Sequence, residues 1–214
     1  MTDIIPCPGC ERPYARARLA SGRTVRCACG SWVGVARATG IGREGRPRFA
    51  ADAMLGGLAR WLRALGYDTW WDPHVADAEL VRRGLEERRV ILTRDVPLAE
   101  EWRLDNLRFV RADAPLDQLR EVAGAYPMDD ARIFSLCTRC NHALEPVSVD
   151  EVRDRVPPAV SADRTEFQRC PSCGRVYWEG THTARMRRDL RQVLEDVNPT
   201  RERTTAEATR SQSA

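Results

Sequence analysis

Four times between residues 46 and 113 a short run of apolar and β-branched residues breaks off on an aspartate: RPRFAAD at Asp52, YDTWWD at Asp72, RVILTRD at Asp95 and LRFVRAD at Asp113. Between these runs the apolar residues fall at helical spacing. MLGGLARWLRALG aligns Leu55, Leu58, Leu62 and Leu65, with Trp61 beside them and Gly66 placed as a C-cap. DAELVRRGLEERR turns Leu80, Val81 and Leu85 inward and carries Gly84, which weakens it as a helix. VPLAEEWRLDN and APLDQLREVAGAY each hold a proline in the first turn, Pro97 and Pro115, where a missing N–H does no harm. Strand and helix alternating in this order predict an α/β domain: a parallel sheet with right-handed crossovers. The aspartates then all lie at the carboxyl edge of the sheet, where open α/β sheets bind their ligands.

Two roles compete for Asp52, Asp77, Asp95 and Asp113. Aspartate is a favoured N-cap, and a strand-to-helix loop often ends on one. Serine, threonine and asparagine cap as well, however, and carboxylates gathered in one cleft repel unless a cation lies between them. Four such acids make a hard, oxygen-rich site suited to Mg²⁺ or Mn²⁺. Asp72 ranks behind them, because Pro73 follows it and suggests a simple turn. Other chemistries find little support. His74 is the one histidine of this segment, no cysteine lies between residues 30 and 136, and no GxSxG, P-loop or GxGxxG sequence occurs.

The eight cysteines form two quartets flanking that segment: Cys7, Cys10, Cys27 and Cys29, then Cys137, Cys140, Cys170 and Cys173. In a chain without a recognisable export signal, such pairing argues for zinc, not disulfides. The second quartet is CxxC…CxxC, and four thiolates with no open position make a structural Zn²⁺ site. Gly174 can take the positive φ that a knuckle turn requires, and His142 and His182 are expected at the surface. The first quartet ends in CxC, one residue short of a knuckle, which strains ligation by both sulfurs; zinc is expected there too, a degenerate ribbon without metal being the alternative. Arg12, Arg16, Arg18, Arg23 and Arg26 lie between its ligand pairs, so this module could face RNA, contact a protein partner, or present a solvated basic face.

All 34 positive side chains are arginine, yet the net charge is only +3, so nucleic-acid binding depends on where the arginines lie. No apolar stretch approaches the roughly 18 residues that cross a membrane, and the expectation is a cytoplasmic protein. Arg185, Arg188 and Arg191 line one side of THTARMRRDLRQVLEDV, where they could track an RNA backbone. Tyr177 and Trp178 either offer stacking surfaces or pack the ribbon.

DAMLGGLARWLRALGYDTWWD, ADAEL, RVILTRD and FVRAD, followed by CTRC, LEPV, DRVPP and CPSCGRVYWEGTH, taken in order, resemble the Mut-seven C-terminal RNase domain family over about residues 48 to 188. The resemblance implies a PIN-like parallel sheet sandwiched by helices with a zinc ribbon fused behind it; the N-terminal ribbon is additional to the family, so the sheet is expected to be flanked by two small zinc ribbons. The resemblance also implies a metal-dependent ribonuclease, with Asp52, Asp77, Asp95 and Asp113 holding the catalytic Mg²⁺ or Mn²⁺. By position, Arg94 before Asp95 and Arg60 on the first helix are the expected phosphate contacts, a salt bridge to a neighbouring acid being the alternative for both. The expected layout is a ribbon over residues 1–38, a linker 39–47, a nuclease core 48–130, a second ribbon 131–182, a basic helix 183–197 and a disordered tail 198–214. The competing readings are a non-catalytic zinc-ribbon module binding RNA or protein, and a DNase with the same metal chemistry.

Overall fold

Strands that read as unbroken apolar runs are those a parallel sheet buries on both faces. In the computed structural model, which describes residues 4–7, 9–15, 25–30, 32–33, 45–102, 104 and 106–198, this is what FAA and VILT become. Strands β5 (Phe49–Ala51) and β7 (Val90–Thr93) are buried at every position. The pairings are all parallel, β5 lying between β6 (Thr69–Trp71) and β7, with β8 (Leu107–Phe109) beyond β7. Most of the linker expected at 39–47, the loop carrying Arg16, Arg18 and Arg23, and the tail beyond Asn198 lie outside the described residues.

Two compact units make up the chain, residues 1–59 with 68–112 and residues 60–67 with 113–214. In the first, helix α2 (Asp77–Glu86) lies on β5 and β7, and α3 (Val96–Glu101) on β8. Leu80, Val81, Ile91 and Leu98 form a core with Ala50, lined by Trp70, Leu85 and Leu107. Gly84 is part of this core instead of a weak point in α2. A Cβ there would come within 2.3 Å of Ile91 Cγ1, so glycine is what lets the helix lie close on β7. The first unit also holds two antiparallel strand pairs, β1 (Ile4–Pro6) with β2 (Pro13–Ala15) and β3 (Val25–Arg26) with β4 (Trp32–Val33).

Helix α1 (Gly56–Ala64) runs from the first unit into the second. Leu55, Leu58, Leu62 and Leu65 are fully buried, and Gly66 ends the helix at φ +87°, its N–H bonded to Arg63 O. In the second unit α4 (Pro115–Ala125) packs on α7 (Thr181–Val197). Strands β9 (Glu145–Val147), β10 (Phe167–Arg169) and β11 (Val176–Trp178) form an antiparallel sheet with β10 central. Two short helices, α5 (Val149–Val152) and α6 (Pro158–Asp163), connect β9 to β10, and Val152, Val156 and Phe167 close the core beneath. The buried Arg63 guanidinium donates to Thr138 O at 3.2 Å and Arg139 O at 2.7 Å, fixing the first knuckle of this ribbon. No described helix is long and apolar enough to cross a membrane.

Candidate active site

The strand order β6-β5-β7-β8 reverses direction at one place. The chain leaves β5 for β6 on one side, then returns across β5 to place β7 on the other. With right-handed crossovers, the connections leaving β5 and β7 depart to opposite sides, and a crevice opens between their carboxyl ends. Asp52 follows β5 and Asp95 lies two residues beyond β7, so both stand at that switch point.

Their geometry is set by backbone and by one hydroxyl. Asp52 extends the ladder through its N–H to Leu92 O at 2.9 Å, then caps the 3₁₀ turn Ala53–Leu55, Oδ1 accepting from Ala53 N at 2.6 Å. Asp95 caps α3, Oδ1 accepting from Leu98 N at 3.2 Å. Thr93, fully buried, joins them: Oγ1 donates to Asp52 Oδ2 at 2.5 Å and accepts from Asp95 N at 2.9 Å. Nothing in the acidic pattern pointed to Thr93. Its only signal was a hydroxyl two places before the aspartate at a buried strand end.

Asp52 is 5% exposed and Asp95 half-buried, and neither has a cationic side chain against it among the described residues. At the opposite, amino-terminal edge of the sheet the acids are neutralised. Asp68 pairs with Arg48 at 2.8 Å and with Arg89 at 2.7 Å, and Glu87 pairs with Arg89 at 2.7 Å. A buried carboxylate without a partner is costly. Among the described residues no arginine lies against Asp52, whose partners are the Ala53 N–H and the Thr93 hydroxyl. The donor set of hard carboxylate oxygens suits Mg²⁺ or Mn²⁺.

The other sequence candidates stand differently. Asp77 is exposed in the first turn of α2, whose cap is Ala76. Asp72 closes a turn, Oδ1 accepting from His74 N at 2.8 Å. Asp113 is exposed in the second unit, one residue before the α4 cap Ala114, and its carbonyl accepts from Gln118 Nε2 at 3.1 Å. Arg94 is half-buried between Thr93 and Asp95, and Arg60 is exposed on α1. Among the described residues no three carboxylates each bring an oxygen within 4.8 Å of the others.

The cysteines do meet that criterion, in both quartets. Sulfurs approach to 3.4 Å (Cys10–Cys27) and 3.5 Å (Cys7–Cys29) in the first, and to 3.3 Å (Cys140–Cys170) and 3.7 Å (Cys137–Cys173) in the second. These separations are far longer than a disulfide bond of about 2.05 Å. They are close to the edge of about 3.8 Å that a zinc tetrahedron has with Zn–S near 2.3 Å. Both quartets therefore fit structural Zn²⁺, and the CxC pair does not prevent it. The Cys29 backbone N–H and the Tyr14 hydroxyl draw Cys27 down to about 6. Despite burial, the Tyr177 hydroxyl, 3.1 Å from its sulfur, brings Cys137 to about 6. His142 and His182 stay exposed and outside the clusters.

Tyr177 is thus engaged by the ribbon, and Trp178 packs on Phe167 with centroids 6.5 Å apart, which is the packing role. Arg185 and Arg188 are exposed on α7, while Arg191 lies 3.5 Å from Asp130. A cavity of about 460 Å³ in this unit is lined by Phe134, Gln168, Tyr177 and Arg187. Its cation is already engaged, Arg187 stacking over Phe134 at 5.1 Å and pairing with Glu179 at 3.2 Å.

Comparison with curated proteins and with solved structures finds no match. The family model described as the Mut7-C RNAse domain matches residues 47–190, two thirds of the 214 residues. That span takes in the switch-point aspartates and the second cysteine quartet together and leaves the first quartet outside. Such a family points to a nuclease and to nucleic acid as its substrate, and on this match the chain belongs to the Mut7-C RNAse domain family.

Proposed function

We propose that this protein is a metal-dependent ribonuclease whose centre is built on Asp52 and Asp95. The observation that carries the reading is the buried Asp52 carboxylate, held at the switch point by Thr93 and Ala53 with no positive side chain against it among the described residues. Asp52 and Asp95 would hold Mg²⁺ or Mn²⁺, and a cation of this kind supplies charge neutralisation at the phosphodiester and a more acidic water.

The protein's own groups supply position. Thr93 donates to Asp52 Oδ2 and so fixes the orientation of that carboxylate. The Leu98 N–H holds Asp95 through Oδ1 alone, leaving Oδ2 without a hydrogen bond from the described residues. Arg94, between the two anchoring residues, is the nearest phosphate contact in sequence, with Arg60 the second candidate. Asp77 and Asp113 complete the acidic set expected from the sequence, and substitution ranks their contributions. Attack by water in line with the bond to the 3′ oxygen leaves a 5′-phosphate and a 3′-hydroxyl.

The test is digestion of labelled single-stranded RNA with Mg²⁺ or Mn²⁺, alongside DNA of the same sequence. Asp95→Asn should lower the rate by about a hundredfold or more, as loss of a group that stabilises transition-state charge does, while the thermal melt stays cooperative. An Asp95→Asn protein that cuts at the wild-type rate removes the assignment. Preferential cutting of DNA shifts it to a DNase, and zinc-dependent RNA binding without cleavage by any preparation shifts it to a binding module.

A further inference from the structure

Among the described residues two large hydrophobic side chains are exposed, Met54 at 58% and Val96 at 50%. Met54 is two residues beyond Asp52 and Val96 is the residue after Asp95. A scattered exposed hydrophobic needs no explanation. Here the two stand in corresponding places, each in the first turn after one of the switch-point aspartates.

Neither is on a loose segment. The turn carrying Met54 is capped by Asp52, and the Trp71 indole N–H donates to Ala53 O at 3.0 Å. Gly56 leaves room for that indole, since a Cβ would lie 2.6 Å from Trp71 Cζ2. Val96 opens α3, capped by Asp95 and followed at once by Pro97. Neither of these first turns contains an acidic residue, although the exposed N-terminus of a helix favours one. The fold holds two apolar side chains in water where polar ones would cost nothing.

We propose that Met54 and Val96 form an apolar rim that contacts the nucleobases flanking the phosphodiester held at Asp52 and Asp95. The inference rests on the nuclease reading of that site, and the site decides the occupant. Beside a bound phosphodiester lie only a polar sugar and a base, and the base alone offers an apolar face. That face is free in an unpaired strand and stacked away in a duplex. Met54, with a polarisable thioether on an unbranched chain, suits contact with flat rings of any of the four bases. Having no hydrogen-bonding groups to read a base edge, the rim holds bases without selecting among them.

The experiment is a cycle between protein and substrate. Wild type and the Met54→Ser/Val96→Ser double variant are compared on one single-stranded RNA and on the same strand with abasic riboses spanning the mapped cut. Because both side chains are exposed, the variant should melt like wild type. Removing the bases should lower kcat/KM of wild type about tenfold or more, chiefly through KM, and should lower that of the variant less than twofold. Equal discrimination by the two proteins overturns the rim. Fluorescence anisotropy in an Asp95→Asn background, with the base-bearing and abasic strands and Mg²⁺, reads the same cycle without catalysis. If wild type cuts neither strand, the nuclease reading fails and anisotropy decides the rim alone: a variant that still prefers the base-bearing strand as wild type does overturns it, and a lost preference upholds it.

Discussion

Thr93 connects two carboxylates that backbone hydrogen bonds alone would leave independent. Its hydroxyl donates a hydrogen bond to Asp52 and accepts one from the Asp95 amide, so the rotamer of one buried side chain aligns both acids. Thr93→Val keeps the shape and removes both bonds. Partners that orient a metal-ligating group are typically worth 10–100-fold in metal affinity or activity, and we expect a rise of about that size in the Mg²⁺ or Mn²⁺ concentration for half-maximal activity. Thr93→Ser should restore most of it, a rescue that a purely packing role for the methyl group would not give. The rise is measured by titrating the metal at fixed RNA; equal midpoints for Thr93→Val and wild type would remove Thr93 from the centre. At this scale the sequence was half legible. It placed four acids beside helix starts but could not separate capping from ligation, because a carboxylate has two oxygens: Asp52 and Asp95 each cap through Oδ1, and a cap on one oxygen does not exclude a cation on the other. Thr93 was hidden because threonine is also an ordinary strand residue.

At the level of the element, three of the four cysteine knuckles share one backbone pattern. The N–H of the leading cysteine bonds to the carbonyl five residues on, its carbonyl accepts from the N–H four residues on, and that fourth residue has positive φ. Glu11, Asn141 and Gly174 occupy this position after Cys7, Cys137 and Cys170. The CxC knuckle is closed one residue earlier, Gly30 N–H bonding Cys27 O at 2.8 Å with Gly30 at φ +90°. The strain expected from the missing residue is thus taken up by a tighter turn that needs a glycine at its end, and the sequence already had the glycine in place. Gly30→Val should lose the zinc of the first ribbon while the second keeps its own, since only glycine adopts that φ without cost. Metal analysis of purified protein should fall from two equivalents towards one. Retention of both would show that the short knuckle tolerates a side chain. Gly84 was misread for a related reason. Helix propensity counts what glycine costs in isolation, whereas here its absent side chain admits Ile91. Gly84→Ala should raise propensity yet destabilise the first unit by about 1–3 kcal/mol, the usual result of overpacking, read as a shift in the urea midpoint.

For the whole molecule, the sheet is polar in a functional sense. Arg48, Asp68 and Arg89, each just before a strand, neutralise one another at the amino edge, while Asp52 and Asp95 at the carboxyl edge face no described cation. The alternation of strand and helix was readable in advance because period and turn residues are local. The division into two units was not, because it depends on how α1 shares its residues between them. Two metal chemistries are to be told apart: soft thiolate tetrahedra, closed and structural, which the two cysteine quartets fit, and the hard carboxylate centre proposed at Asp52 and Asp95. They should separate experimentally. Desalting into buffer free of Mg²⁺ and Mn²⁺, without a chelator, should abolish cleavage while zinc content stays at two equivalents and the melt is unchanged, because zinc held by four thiolates is bound far more tightly than a carboxylate-held Mg²⁺. Mg²⁺ or Mn²⁺ alone should then restore the rate. Mercurial titration of the cysteines should do the reverse, releasing zinc stoichiometrically and collapsing the melt of the ribbon-bearing units. Activity that tracks zinc content through both treatments, and does not return with Mg²⁺ or Mn²⁺, would transfer the chemistry from the aspartates to the cysteine quartets and leave Asp52 to its capping role alone.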